Sequence, residues 1–310
     1  LIEQRDASGA YAQLLLLAIA AAVSLPLLAA FPGELSAALG PPGVSLLVGA
    51  LVFGAAMQIA DGCGSGTLYK AGLGIPLNMA ILPMFALGSF LGSAHLGWWL
   101  DLGAMQPVSL LDSAGLSGAL LLTFAGLASI AGLCFWWSKG STAQRPVFSK
   151  GLMIGAVLLA ILAVLNLVIA GQPWGIVYSF GLWGAKIAQA THLFDPGVNA
   201  FWSQPSNATA LQQSVFLDVT TITSLGILAG ALLIFAGKKD DKQAKLTTTQ
   251  WIVGITAGFL LGYSSRLAFG CNVGAMVSGI STGSLHGWIW VALAFIGSLA
   301  GVRIRKYYGY

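Results

Sequence analysis

The residue types able to do chemistry concentrate in two short segments, Gly62-Cys63-Gly64-Ser65-Gly66-Thr67 and Gly270-Cys271-Asn272-Val273-Gly274. Glycines on both sides of a cysteine leave the backbone amides unshielded, so several N–H groups can converge at the start of a short helix and favour an anion. A thiol is a soft, polarizable group with a weak S–H donor, which suits the sulfur end of a sulfur oxyanion better than it suits phosphate. With an ordinary thiol pKa of about 8.5, the neutral form is favoured, and weak hydrogen bonds would then pass an anion along. A thiolate would repel a dianion but could carry out sulfur chemistry. Ser65, Thr67, Asn272, Ser278 and Ser281 are further candidate donors, and Lys70, Arg266 and Lys186 candidate sources of positive potential.

The two segments align. Setting Cys63 on Cys271, an offset of 208, superposes Gly54 on Gly262, Ala60 on Ala268, Gly62 on Gly270 and Gly66 on Gly274, and Gly72 meets Gly279 after one deletion. Cys134, in LASIAGLCFWW, has no such partner and reads as packing. Three cysteines without a C-x-x-C pair suggest neither a disulfide framework nor zinc. His95, His192 and His286 lack a ligand-spaced partner, so no metal is expected, and no cofactor or nucleotide motif appears. Met79, Met84 and Met105 read as apolar filling, and Asp61 as a gate, a proton group or a helix cap.

The elements that position these residues are membrane helices. Charged residues make up 8% and apolar types 57% of 310 positions, against roughly 25% charged in an average soluble domain. A bilayer core of about 30 Å takes roughly 20 apolar residues per helix. Such runs fall at 12–31, 43–60, 76–100, 115–137, 151–171, 211–236, 250–269 and 285–302, predicting eight crossings. The stretch 173–200, broken by Pro173 and Pro196, reads as a re-entrant or broken helix pair. Alternating ten-residue strands are absent, which argues against a barrel. The net charge of +4 sits at segment ends and forms no nucleic-acid surface.

Cytoplasmic loops keep Lys and Arg. The loops 138–150 (Lys139, Arg145, Lys150) and 237–249 (Lys238, Lys239, Lys242, Lys245) and the C-terminus (Arg303, Arg305, Lys306) are expected inside, and 32–42, 101–114 and 194–210 outside. Helix 43–60 then runs inward and helix 250–269 outward, so the two copies are expected upside down relative to each other, as in transporters that build a site near the midplane. The expected fold class is all-α, a polytopic transmembrane helical bundle with inverted pseudo-symmetric repeats and short re-entrant central helices. It is expected as one transporter domain over 1–310, with halves at about 1–140 and 150–310.

The segments DGCGSGTLYKAGLG at 61–74, PWGIVYSFGLWGAK at 173–186 and RLAFGCNVGAMVSGISTGSLHGW at 266–288 resemble the YeeE/YedE family of sulfur transporters. The resemblance implies an hourglass-like fold of inverted halves in a bacterial inner membrane. It further implies uptake of thiosulfate along a path lined by cysteines, which here carries over to Cys63 and Cys271. It suggests a TusA-type cytoplasmic sulfur carrier as a partner beside membrane lipid, and a selenium compound as the alternative substrate. A further family cysteine is expected just before Leu1. The alternative activity is a membrane thiol/disulfide or sulfur-transfer enzyme using the same cysteines.

Overall fold

The computed structural model describes residues 6–139, 149–236 and 246–309. Most of the basic residues of the loops 138–150 and 237–249, used above for orientation, lie outside the described residues. Among the described residues there are helices and isolated bridges but no strand. Among the described residues, eight helical segments are long and apolar enough to cross a membrane.

The chain divides into two compact units. The first takes residues 1–40, 107–174 and 277–288. Here α1 (Ser8–Ala30) packs against α6 (Leu110–Ser138) and α7 (Lys150–Ala170). The side chain of Ser109 caps α6 by accepting from Asp112 N at 3.2 Å, and Gly115, at φ +67°, kinks its first turns. In α7, Ile154, Leu158, Leu162 and Ile169 are exposed. A soluble protein would not leave such a run to water, whereas lipid accepts it. Trp136 and Trp137, exposed at the end of α6, fit an interfacial belt.

The second unit, residues 41–106, 175–276 and 289–310, holds both cysteine segments. Its helices are α2 (Val44–Ile59), α3 (Gly64–Gly72), α4 (Pro76–Ala94), α5 (Leu96–Asp101), α8 (Val177–Ala190), α9 (Pro205–Gln212), α10 (Val219–Ala236) and α11 (Thr248–Leu267). A wide π-type turn, Asn272–Ser278, leads into α12 (Gly279–Ser281), and α13 (Leu285–Tyr307) ends the described chain. The Thr247 hydroxyl accepts from Gln250 N and the Gln250 side chain from Thr247 N, a reciprocal cap that starts α11. With 14 residues, α8 reaches about 21 Å at 1.5 Å per residue, too short to cross. The run at 211–236 is not one helix: Ser214 and Asp218 accept backbone N–H bonds between α9 and α10 and stop the first before the second begins.

Glycine seams set the helix spacing. A Cβ on Gly54 would lie 2.1 Å from the Ala294 carbonyl oxygen, and Cβ atoms on Gly297 and Gly301 would lie 2.0 and 2.4 Å from the carbonyl oxygens of Leu51 and Ala55, so α2 and α13 touch backbone to backbone. The same pattern joins α11 to α4: Gly262 meets Phe85 O at 2.1 Å, Gly88 meets Phe259 O at 2.1 Å and Gly92 meets Tyr263 O at 2.6 Å. Gly54 and Gly262 are one of the aligned pairs, as are Leu51 with Phe259 and Ala55 with Tyr263 at the same offset. Small residues allow such approach where hydrophobic burial cannot drive helix association.

Candidate functional site

Each cysteine sits at the break between a long helix and a short one. In the first segment α2 ends at Ile59, Asp61 turns the chain with φ +55°, and Cys63, in extended conformation, is the N-cap of α3. In the second α11 ends at Leu267, Phe269 makes the same turn at φ +57°, and the π-type turn starts after Cys271. The glycine before each cysteine is held tightly. A Cβ on Gly62 would fall 3.1 Å from both Gly66 C and Thr67 N, and one on Gly270 would fall 2.5 Å from Ala275 N and 2.8 Å from Gly274 C. Gly270, at φ +149°, is also in a conformation that disfavours side chains.

The structure brings the two segments together. Cys271 is fully buried, and its sulfur lies 3.5 Å from where a Cβ on Gly64 would stand, with Phe85 Cζ at 3.5 Å and Val177 Cγ2 at 3.7 Å from the same point. Cys63 Sγ lies 3.8 Å from a Cβ position on Gly66 and 3.3 Å from Ser65 Oγ. Gly64 directly follows Cys63, so the Cys271 sulfur packs against the same break that carries Cys63. Gly64 therefore leaves the gap that Cys271 fills, and Phe85 and Val177 wall it with apolar surface.

Two polar atoms beside this point are buried without a hydrogen-bond partner among the described residues: Thr67 Oγ1, one turn into α3, and Asn272 Oδ1, next to Cys271. Such an atom costs about 1–3 kcal/mol when nothing satisfies it. The Thr67 hydroxyl can donate to an anion, whereas Asn272 Oδ1 only accepts and so calls for a donor. Ser278 and Ser281 differ: Ser278 Oγ donates to Trp174 O at 2.6 Å, and Ser281 Oγ to Ser278 O at 3.4 Å, so both hydroxyls serve the backbone.

The three cations divide. Lys70 Nζ donates to Asp61 O at 2.6 Å and pairs with the Asp61 carboxylate, which also accepts from Arg305 NH1 at 2.7 Å. Asp61 is thus neither the cap of α3 nor unpaired, and the charge of Lys70 is spent on it. Lys186 Nζ donates to the carbonyl oxygens of Leu211 and Gln213 at 2.7 and 2.6 Å, tying α8 to the end of α9. Arg266 has no carboxylate within ion-pair range among the described residues. Its Nε donates to Ser93 Oγ at 2.7 Å, and its guanidinium lies 5.6 Å from the Tyr178 ring and 5.1 Å from that of Phe201. Aromatic faces stabilise a cation without neutralising it.

Cys134 is buried in α6 of the other unit, and the three cysteines are free thiols. Sequence reasoning missed Phe85, Val177, Tyr178, Phe201, Ser93 and Arg305. Val177 and Tyr178 lie inside segment 173–186, one of those that carry the family resemblance, which was a usable signal; Phe85 stands in an unremarkable apolar helix and offered none.

The family profile described as Sulphur transport matches residues 1–300. The chain is 27% identical over 277 residues to the Thiosulfate transporter TsuA of Spirochaeta thermophila, covering 85% of this chain and 78% of the relative. It is 30% identical over 155 residues to the Probable transporter YedE of Escherichia coli K12, covering 48% of this chain and 37% of that protein. The YedE of Salmonella typhimurium is also 30% identical, over 139 residues, covering 44% of this chain and 33% of that protein. With eight apolar helices long enough to cross a membrane and a match over nearly its whole length, the chain belongs to the sulphur transport family.

Proposed function

We propose that the protein takes up thiosulfate, or a closely related inorganic sulfur anion, into the cytoplasm of a bacterium along a path on which Cys63 and Cys271 are adjacent stations. The observation that carries this reading is the approach of the Cys271 sulfur to Gly64, the residue that follows Cys63, beside the unpartnered Thr67 Oγ1. Soft S–H groups contact the terminal sulfur, while amide and side-chain donors serve the oxygens. Gly62, Gly64, Gly66, Gly270 and Gly274 keep the amides bare, and Ser65 orients the Cys63 thiol. Arg266, uncompensated by any described carboxylate, supplies the attraction that draws the anion in. The matched turns at Asp61 and Phe269 and the matched glycine seams support a repeat, and loop charges support its inversion across an inner membrane. The relative named as a thiosulfate transporter supports the substrate. A TusA-type carrier receiving sulfur on the cytoplasmic side completes the reading.

The test is uptake of labelled thiosulfate into vesicles carrying the purified protein, with sulfate, sulfite and selenate as competitors. Cys63→Ala and Cys271→Ala are expected to abolish uptake while Cys134→Ala retains it. Equal loss from all three, or none from any, would overturn the assignment.

A further inference from the structure

Asp61 is an oddity on an anion path: a carboxylate two residues from Cys63. The local backbone does not require it. Aspartate tolerates the left-handed conformation better than most residues, yet the second segment makes the same turn with Phe269, φ +57° against +55°. The difference is charge. Asp61 accepts from Lys70, at the last turn of α3, and from Arg305, near the end of α13, so two cations share one carboxylate and the cluster keeps a net charge of +1. Arg305 also donates to Gln58 O at 3.0 Å, which anchors it over the end of α2. The side chains remain partly exposed, 38% for Asp61, 29% for Lys70 and 32% for Arg305, so a small anion can reach them.

We infer that Asp61 is a tethered counter-anion that lets a permeating dianion leave Lys70 and Arg305. The inference rests on the transport reading above. Two bare cations at Asp61, two residues before Cys63, would hold a dianion strongly, and conduction needs a site attractive enough to enter yet weak enough to vacate. Asp61 occupies both cations at rest, yields them as the dianion arrives, and, being covalently attached, returns at high local concentration to displace it. The aligned position in the second segment carries no carboxylate, so displacement acts at one end of the path only.

Vesicle uptake of labelled thiosulfate by Asp61→Asn, Lys70→Gln and the double variant tests this. Asp61→Asn is expected to lower KM and the maximal rate together, each by about fivefold, the scale of a partly exposed charge pair. Raising the ionic strength from about 0.01 M to about 0.15 M shrinks the effect. The double variant, again at net +1 in the cluster, is expected to return both values toward the parent protein, a rescue that a purely structural clamp would not give. Lys70→Gln alone is expected to raise KM without slowing the maximal rate, which keeps the inference testable if Asp61→Asn does not fold. A raised KM in Asp61→Asn, a double variant worse than either single one, or a lowered KM in Lys70→Gln would overturn it. Parent protein that takes up no thiosulfate would overturn the transport reading and this inference with it; uptake by the parent with the wrong order among variants overturns this inference alone.

Discussion

At the scale of single residues, Thr67 separates a role in the fold from a role in binding. Its hydroxyl is buried and makes no hydrogen bond to a described residue, so the folded protein loses nothing when that hydroxyl becomes a methyl group. Removing an unsatisfied buried polar atom is close to neutral or stabilising. Thr67→Val is therefore expected to melt at or slightly above the parent temperature in detergent and yet to raise KM for thiosulfate, by about fivefold or more for one lost hydrogen bond to an ion. Thr67→Ser should keep the affinity. Arg266→Gln is expected to raise KM by about tenfold or more, with the deficit shrinking as salt screens the guanidinium in the parent protein. Arg266→Lys does not rescue it, because an ammonium can neither hold the Ser93 contact through Nε nor lie flat against Tyr178 and Phe201.

At the scale of elements, the glycines decide where a side chain is forbidden. Gly54→Ala and Gly262→Ala each push a methyl group into a carbonyl oxygen 2.1 Å away, and both are expected to destabilise the protein by about 1–3 kcal/mol. Gly226→Ala and Gly230→Ala, in α10, meet nothing within 4 Å, and a melting curve should show them unchanged or slightly raised. Equal losses at all four positions would contradict the seams as the source of helix spacing. Much of this level could be read beforehand. Hydropathy marked the eight crossings because lipid demands uniform apolar length, and the Pro-broken stretch at 173–200 did yield a helix too short to cross. The division of 205–236 escaped notice because polar caps at Ser214 and Asp218 outweigh an apolar average.

At the scale of the whole molecule, a small number of charges and polar groups are laid out in an apolar chain. The offset of 208 between the cysteine segments was legible because the glycine before each cysteine sits where a Cβ would meet the backbone of the following turn, which keeps glycine at both positions. The approach of Cys271 to Gly64 was not legible, since it depends on how α4 and α8 bring Phe85 and Val177 against the break, and hydropathy carries no such partner information. Composition likewise named both Lys70 and Arg266 as candidate cations. The packing separates them further: Lys70 pairs with Asp61, and Arg266 has no carboxylate in ion-pair range among the described residues.

The most direct test is an experimental structure of the protein with thiosulfate bound in lipid. The expected result is one anion whose terminal sulfur contacts Cys63 Sγ or Cys271 Sγ, within reach of the other, with oxygens served by the Thr67 hydroxyl and the backbone amides of the glycine-flanked segments. An anion bound elsewhere with neither thiol in contact with it, or thiols that face separate compartments, would contradict it.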